Sequence, residues 1–232
     1  MRVTKEPQVR REELLDVALT LSHEVGFEGM SVELVTQTAG VAKGTFYHYF
    51  KSKNELLYAL AERFGDGLFD TMNAASQTPA SPTERLRALM EAATAFKMAS
   101  SDSTHFIVSF MRDENQALRH RMLQAWEATA RIFLRPVLVD GAGDGSFDIA
   151  DVDSTTDFLI GLWFDFADRL WVRATAAPDP DSFAQTLLSG AQALWQAQER
   201  LLGVPVGTFT IPLGQPVDNT LATIYHHVQR KP

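Results

Sequence analysis

Two short helical segments joined by a small-residue turn, within residues 31–53, constrain the fold of this chain more than any other feature. Ser31 is a residue type that caps helices, and apolar residues follow it at helical spacing. Gly40 should end this helix, because glycine reaches the positive φ that a sharp turn requires. A second helix then starts near Ala42 or Lys43. Two short helices held at a steep angle by such a turn predict a helix-turn-helix.

The second of these helices has an aromatic side and a polar side. Phe46 and Phe50 are four residues apart, so they share one face and should anchor the helix to the core. The other face carries hydrogen-bond donors, and in a helix-turn-helix that face enters the major groove of DNA. We therefore expect these residues to face DNA: Lys43, Gly44, Thr45, Tyr47 and His48.

The remainder of the chain is punctuated as helices and shows no convincing strand alternation. Ser52 with Glu55, and Ser81 with Glu84, form capping boxes that open two further helices. These patterns predict an all-α fold of about nine helices, in which an N-terminal three-helix domain carries the helix-turn-helix.

Other signals predict helix ends in the second half of the chain. Pro136 should kink or end the helix that contains it, and the glycines and aspartates of residues 140–151 indicate a loop. Ser182 should open a final long helix that Gly203 ends. A helix that starts at Asp153 or the next residue is apolar on nearly all sides, so it should be buried on more than one face.

Residues 31–57 resemble the signature of the tetracycline-repressor-like (TetR) family of transcription regulators. The resemblance rests on the Ala-Gly-Val turn, on Gly-Thr-Phe-Tyr and on Phe-Lys-Ser-Lys-Asn-Glu-Leu, and it extends over roughly residues 8–60. The rest of the chain is similar to the family only in its helical layout and in the Gly145-Ser-Phe loop. The resemblance implies a DNA-binding domain, a C-terminal helical ligand-binding and dimerisation domain and a tail: 1–53, 54–203 and 204–232.

The resemblance also implies roles for the residues that match. Lys43 and Gly44 occupy positions that touch base edges in the family, and Lys53 occupies that of a lysine that meets phosphate. Ser31 and its neighbours can donate to the DNA backbone from a helix N-terminus. Phosphate- or base-contacting positions are taken by Thr45, Tyr47 and Tyr49. One departure is Ala42, where the family often has a capping Ser or Thr.

Family members act as homodimers, and the sequence supports this independently. The helices over 153–175 and 182–202 carry more apolar surface than one small bundle needs, and two copies would bury it in a four-helix interface. The second helix of the helix-turn-helix is the recognition helix. A two-fold dimer places its two recognition helices about 34–36 Å apart on a palindromic double-stranded DNA operator. By analogy with the family we expect repression that a small-molecule effector relieves.

The second part of the chain is rich in aromatic residues. They either pack a core or line a pocket for a largely apolar effector. The ligand-binding candidates are Phe96, Phe106, Phe110, Trp126, Phe133, Trp163 and Phe166. We expect neither a cofactor nor a metal, since the chain has no cysteine and His226-His227 has no third ligand nearby.

Charge and composition leave alternatives open. The net charge is -8, but residues 1–63 carry 8 basic and 9 acidic side chains, so most of the excess negative charge lies after residue 63.

No stretch is apolar for the about 20 residues that a membrane span needs, and the absence of cysteine fits the reducing cytoplasm. An enzyme is disfavoured because no hydrolase, zinc-protease or P-loop motif is present. The other alternative is a protein whose DNA-binding head is a relic and which acts through protein partners.

Overall fold

The computed structural model describes residues 7–77, 81–98, 116–209 and 215–229, and within these ranges it contains helices and turns but no strand. This confirms the all-α prediction. The helices are α1 (Pro7–Glu24), α2 (Gly26–Gly29), α3 (Val32–Thr38), α4 (Lys43–Tyr49), α5 (Lys53–Ser76), α6 (Pro82–Met98), α7 (Gln116–Asp144), α8 (Val152–Gly161), a π-helical segment (Leu162–Phe166), α9 (Ala167–Thr175), α10 (Pro180–Leu202) and α11 (Gln215–Gln229). None of these described helices combines the length and the apolar character needed to cross a membrane.

The described residues form two compact units. The first unit is 7–66 with 116–122, and the second unit is 67–98 with 123–209 and 215–229. The first unit takes in the described part of the predicted head and also residues 54–66. The domain boundaries drawn from the sequence stay predictions.

Polar caps and positive-φ glycines end several helices where the sequence predicts. Ser31 Oγ accepts a hydrogen bond from the amide three residues later at 3.0 Å, and Ser52 Oγ accepts one from the Glu55 amide at 3.2 Å. Gly40 and Gly203 have φ of 64° and 65°, which the other residue types rarely adopt. These ends are determined by neighbours in the sequence, and they are therefore readable from it.

The predicted loop over residues 140–151 is wrong in its first part, because α7 continues through Pro136 to Asp144. A proline inside a helix costs about 3 kcal/mol. The neighbouring Leu134 and Leu138 are completely buried, and burying a leucine contributes about 1.5–3 kcal/mol each. Packing therefore outweighs the local penalty, and the helix does not end at the proline.

The last long helix begins at Pro180, and the prediction that Ser182 opens it is wrong. Asp179 has extended backbone and its Oδ1 accepts from the Ser182 amide at 2.8 Å, so Asp179 is the N-cap and the proline follows it. Likewise α8 begins after Asp151, whose Oδ1 accepts from the Ser154 amide at 2.7 Å. The hydrogen bonds from these serines hold the pKa of both aspartates below their usual range.

The segment from α8 to α9 is buried on one side only within a single chain. Leu159 and Thr156 are completely buried, whereas Phe158 is 61% exposed and Val172 is 54% exposed. The prediction of burial on more than one face is therefore not met by this chain's own residues. An exposed aromatic of this size on a helix is a candidate contact for another protein surface.

The chain beyond α10 is fixed to the second unit over residues 204–209. Glu199 is 1% exposed, and its Oε1 accepts hydrogen bonds from the Gly207 and Phe209 amides at 2.9 and 2.8 Å. The Phe209 side chain belongs to the core, 2% exposed, and Arg87 donates to the Thr208 carbonyl at 2.9 Å. The start of the predicted tail is thus ordered by a buried carboxylate that has its donors.

We expect Gly141→Ala to destabilise the second unit by about 1–3 kcal/mol, because overpacking a buried site forces its neighbours to move. A Cβ at Gly141 would lie well inside contact distance of the Phe147 ring, which is 3% exposed. Gly143→Ala on the same helix is the matched control, because nothing lies within 4 Å of its added Cβ. That control should gain up to about 1 kcal/mol of helix propensity. Denaturant unfolding of both variants checks the difference, and equal midpoints would contradict it.

Candidate nucleic-acid interface and ligand cavity

The turn between α3 and α4 is built from backbone hydrogen bonds and one glycine. Gly40 has φ 64°, and the Val41 amide donates to the Thr36 carbonyl at 3.0 Å. The chain then extends at Ala42, where α4 begins without a side-chain cap, as the alanine predicts. The first turn of α4 is closed by the Thr45 amide, which donates to the Ala42 carbonyl at 2.8 Å. The helix-turn-helix expected from the sequence is therefore present.

Helix α4 is anchored by two buried aromatic side chains. Phe46 and Phe50 are 0% and 1% exposed, with their ring centroids 5.7 Å apart. The Arg11 guanidinium of α1 lies 5.4 Å from the Phe50 ring centroid, which is within cation–π range. This confirms the aromatic face of the sequence prediction and fixes which face of α4 is turned outward.

The outward face carries the donors that the sequence singled out. Four of the six candidate residues on α4 are exposed: Lys43, Gly44, Tyr47 and His48. Thr45 and Tyr49 are half-buried, and the Tyr49 ring is in edge contact with that of His48, with centroids 4.8 Å apart. Their roles at DNA stay predictions. The geometry leaves the side chains of α4 with free access from one side.

Lys43 forms an ion pair with Glu33 of α3. Hydrogen bonding to the ammonium lowers the pKa of the Glu33 carboxyl, and the same contact raises the pKa of Lys43, so both groups are charged near neutral pH. Both side chains are well exposed, and water screens the pair. Sequence reasoning missed Glu33, since only the turn brings two residues ten positions apart together.

Ser31 and Lys53 lie on either side of the recognition helix α4 in the sequence, at the N-termini of α3 and α5. Lys53 lies in the first turn of α5 and is half-buried, and its Nζ donates to the Phe27 carbonyl at 2.9 Å. Ser31 is exposed, and its hydroxyl oxygen caps α3 while its hydrogen can still be donated. Both side chains therefore hold local structure in the free protein, besides any contact with phosphate.

The second unit contains a cavity of about 260 Å³ with mostly apolar and aromatic walls. Of the seven ligand-binding candidates, Trp163 lines it. Phe96, Trp126 and Phe133 pack against the surrounding core. Phe166 is half-buried and lies 5.7 Å from the Arg173 guanidinium. Phe106 and Phe110 lie outside the described residues.

Trp126 and Phe133 stand behind a cavity wall. Their ring centroids lie 6.5 and 5.9 Å from that of Phe69, which lines the cavity itself. Sequence reasoning missed Phe69 and Lys97 as lining residues. Lys97 follows Met90, Ala93 and Thr94 at helical spacing on α6, and that spacing is the signal that could have revealed a shared face.

The described residues offer no metal site. Across those ranges, no three His, Cys, Asp or Glu side chains are placed so that they could hold one ion. The chemistry that the two candidate sites can provide is therefore hydrogen bonding and charge on α4, and apolar enclosure in the second unit.

Comparison with known proteins bears on both units. A family model described as bacterial regulatory proteins, tetR family, matches residues 14–60. The HTH-type transcriptional repressor KstR2 of Rhodococcus jostii is 30% identical over 184 residues, which cover 78% of this chain and 88% of that protein.

Two solved structures share the fold of most of the chain. The transcriptional regulator FadR from Bacillus subtilis, in complex with stearoyl-CoA, has a TM-score of 0.55 at 19% identity, over 79% of this chain and 96% of that one. RolR in complex with resorcinol has a TM-score of 0.59 at 20% identity, over 90% of this chain and 97% of that one.

Proposed function

The chain belongs to the tetR family of bacterial regulatory proteins and is a DNA-binding transcription regulator, and we propose that it is a repressor that a small, largely apolar molecule releases from a palindromic operator. In this proposal the first unit reads DNA, and the second unit binds the effector and a second copy of the chain. Such a regulator acts in the cytoplasm and needs no cofactor.

The observation that supports DNA reading by α4 is its division into a buried and an open face. Base contacts specify sequence and phosphate contacts position the protein. We assign base edges to Lys43 and Gly44, and the flanking phosphate backbone to Ser31 and Lys53. Contacts with either phosphate or base are assigned to the remaining donors: Thr45, Tyr47, His48 and Tyr49. Nothing on α4 blocks approach from its open side, because Phe46 and Phe50 are turned into the core.

A gel shift with the DNA upstream of the chain's own gene tests this assignment. We expect a retarded band with a Kd of about 10⁻⁸–10⁻¹¹ M, which unlabelled specific DNA displaces and random DNA does not. Lys43→Ala should change which base is preferred, and Glu33→Gln is the matched variant on the partner side of the ion pair. If the wild-type protein bound none of the DNA sequences, this would favour the alternative that its DNA-binding domain is a relic and that it acts through protein partners.

The exposed apolar residues of α8 and α9 support a homodimer. Phe158 and Val172 lie on the helical segment that the sequence assigns to dimerisation. A two-fold interface buries both copies of each of these residues. It also sets the distance between the two recognition helices to one turn of DNA, about 34–36 Å. The half-site spacing of a footprint measures that distance.

The cavity of the second unit supports regulation by a small molecule. The effector would favour a dimer state in which the distance between the two recognition helices no longer matches the spacing of the DNA half-sites. Reversing occupancy from 99:1 to 1:99 requires that it prefer that state by roughly 10⁴-fold, or about 5.5 kcal/mol. The KstR2 relative is named a repressor, and the FadR and RolR structures contain stearoyl-CoA and resorcinol. A gel shift with aromatic acids, acyl thioesters, steroids and cationic dyes tests release, and no effect from any class would count against it.

Lys53→Ala should weaken binding similarly on all DNA sequences and should lower the salt slope of log K by about 1, since one phosphate contact is lost. Binding isotherms at several salt concentrations, on the operator and on random DNA, measure both slopes. Lys53 also hydrogen-bonds the Phe27 carbonyl, so unfolding midpoints must be compared as well. Lys51→Ala, on an exposed side chain two residues away, is the control. An unchanged slope for Lys53→Ala would assign the side chain a structural role alone.

A further inference from the structure

One cationic side chain lines the cavity of the second unit. Of the described residues that surround this cavity, Lys97 is the only ionisable one. It follows Ala93 by four residues and Thr94 by three on α6, and both of those also line the cavity. Residues at this spacing share one helix face, so the position of the lysine is set by the same face that forms the wall.

The wall beside Lys97 is mostly apolar and holds no counter-charge for its ammonium. The wall includes Trp163, Phe164 and Trp195, together with aliphatic and methionine side chains. Among the described residues no carboxylate pairs with the ammonium, and burial alone lowers the pKa of Lys97. The Lys97 side chain is nevertheless solvent-exposed, so it borders the cavity on its open side. The ammonium therefore stays in reach of water and has no counter-charge among the described residues of the wall.

Two other polar side chains of the cavity wall have partners of their own. The Thr94 hydroxyl donates to the Met90 carbonyl at 2.9 Å, and the Trp163 indole donates to Gln198 Oε1 at 2.8 Å. Gln198 in turn donates to Met90 Sδ at 2.9 Å. These bonds leave the Lys97 ammonium as the strongest unused donor that the described wall offers to a ligand.

We propose that the cavity binds an apolar molecule that carries a carboxylate, and that Lys97 forms the ion pair with this carboxylate. The proposal rests on the effector role assigned above and adds its chemical class. A neutral apolar ligand would fill the same space but would remove water from the ammonium without supplying an anion, which costs free energy. The volume of about 260 Å³ lies just below the about 300–1,000 Å³ of typical ligand pockets, which favours a compact acid.

Titration calorimetry with three acids and their neutral amides tests this pairing: decanoate and decanamide, 4-phenylbutyrate and its amide, and 2-naphthoate and 2-naphthamide. For at least one pair we expect the full-length protein to bind the acid about 10- to 100-fold more tightly than the amide, as a hydrogen bond to a charged group provides. Lys97→Met should abolish this preference, and Lys97→Arg should retain most of it. Arg200→Met removes an exposed cation from the same unit and should leave the preference unchanged.

A second readout separates ion pairing from a merely structural role. The six lysines can be ¹³C-methylated and titrated by NMR, and the Lys97 signal should titrate at lower pH than that of Lys43, whose pKa the Glu33 carboxylate raises. Addition of the preferred acid should raise that pKa, whereas its amide should not, since only an anion stabilises the charged form.

The proposal is overturned if no acid binds, if acid and amide bind equally, or if the preference survives Lys97→Met. These outcomes are separate from failure of the proposed function. If the operator is bound but no acid is, the regulator stands and the effector class falls. If an acid binds through Lys97 but never changes operator affinity, the pairing stands and the effector role falls.

Discussion

Phe158→Asp should convert the proposed dimer into a monomer and thereby remove tight binding to the proposed palindromic operator. Phe158 is 61% exposed in the single chain, and burial of a phenylalanine contributes about 1.5–3 kcal/mol. Two-fold symmetry doubles the effect of one substitution, because each copy brings the same residue to the interface. Since only the exposed 61% of each side chain remains to be buried, the lost burial alone should weaken the dimer roughly 20- to 500-fold, and the two carboxylates add repulsion.

Sedimentation equilibrium over a range of protein concentrations measures the dimer constant, and a gel shift on the palindrome and on one half-site measures its consequence. We expect the variant to bind both DNAs with similar weak affinity, whereas the wild type strongly prefers the palindrome. Val206→Asp is the control, since Val206 is 67% exposed but lies in the turn after α10. A Phe158→Asp protein that remains dimeric, or a wild type that is monomeric, would remove Phe158 from the interface.

Helix ends could be predicted from the sequence where a neighbouring residue determines them. Ser31 caps α3, and Gly40 and Gly203 adopt positive φ, because each of these effects involves residues within one helical turn. Pro136 shows the limit of this reasoning, since its local signal was strong. Burial of Leu134 and Leu138 by residues distant in the sequence decided the result instead.

The candidate DNA interface was more readable than the cavity for the same reason. The spacing of Phe46 and Phe50 determines which side of α4 is free, whereas the pairing of Lys43 with Glu33 depends on how the turn folds back. In the second unit, aromatic character predicted which residues lie in the interior, but it did not indicate whether they line the cavity or pack in the core around it. Trp126 therefore contacts Phe69 without lining the cavity itself. Lys97 does line the cavity, although a lysine is not a residue type that predicts a place in an apolar wall.

Phe46→Ala should destabilise the first unit by about 3–5 kcal/mol, the usual cost of truncating a fully buried phenylalanine. The ring is completely buried, in contact with Phe50 at 5.7 Å between centroids and edge-on to Tyr47 at 5.5 Å. Because α4 has only seven residues and no side-chain cap, tertiary packing is what holds it in a helix. Loss of the anchor should therefore remove specific DNA binding together with stability.

Tyr47→Ala is the matched variant, one residue along the same helix but 48% exposed. Its unfolding midpoint should stay close to that of the wild type, while its operator affinity falls by about 1–3 kcal/mol if the side chain contacts DNA. Circular dichroism during denaturant unfolding, combined with operator titrations at fixed salt, separates the two effects. Phe46→Leu should restore most of the stability and the binding together. Equal stability losses in Phe46→Ala and Tyr47→Ala would mean that the two faces of α4 are not divided between core and DNA, and the assignment of Lys43 and Gly44 to base edges would fall with that division.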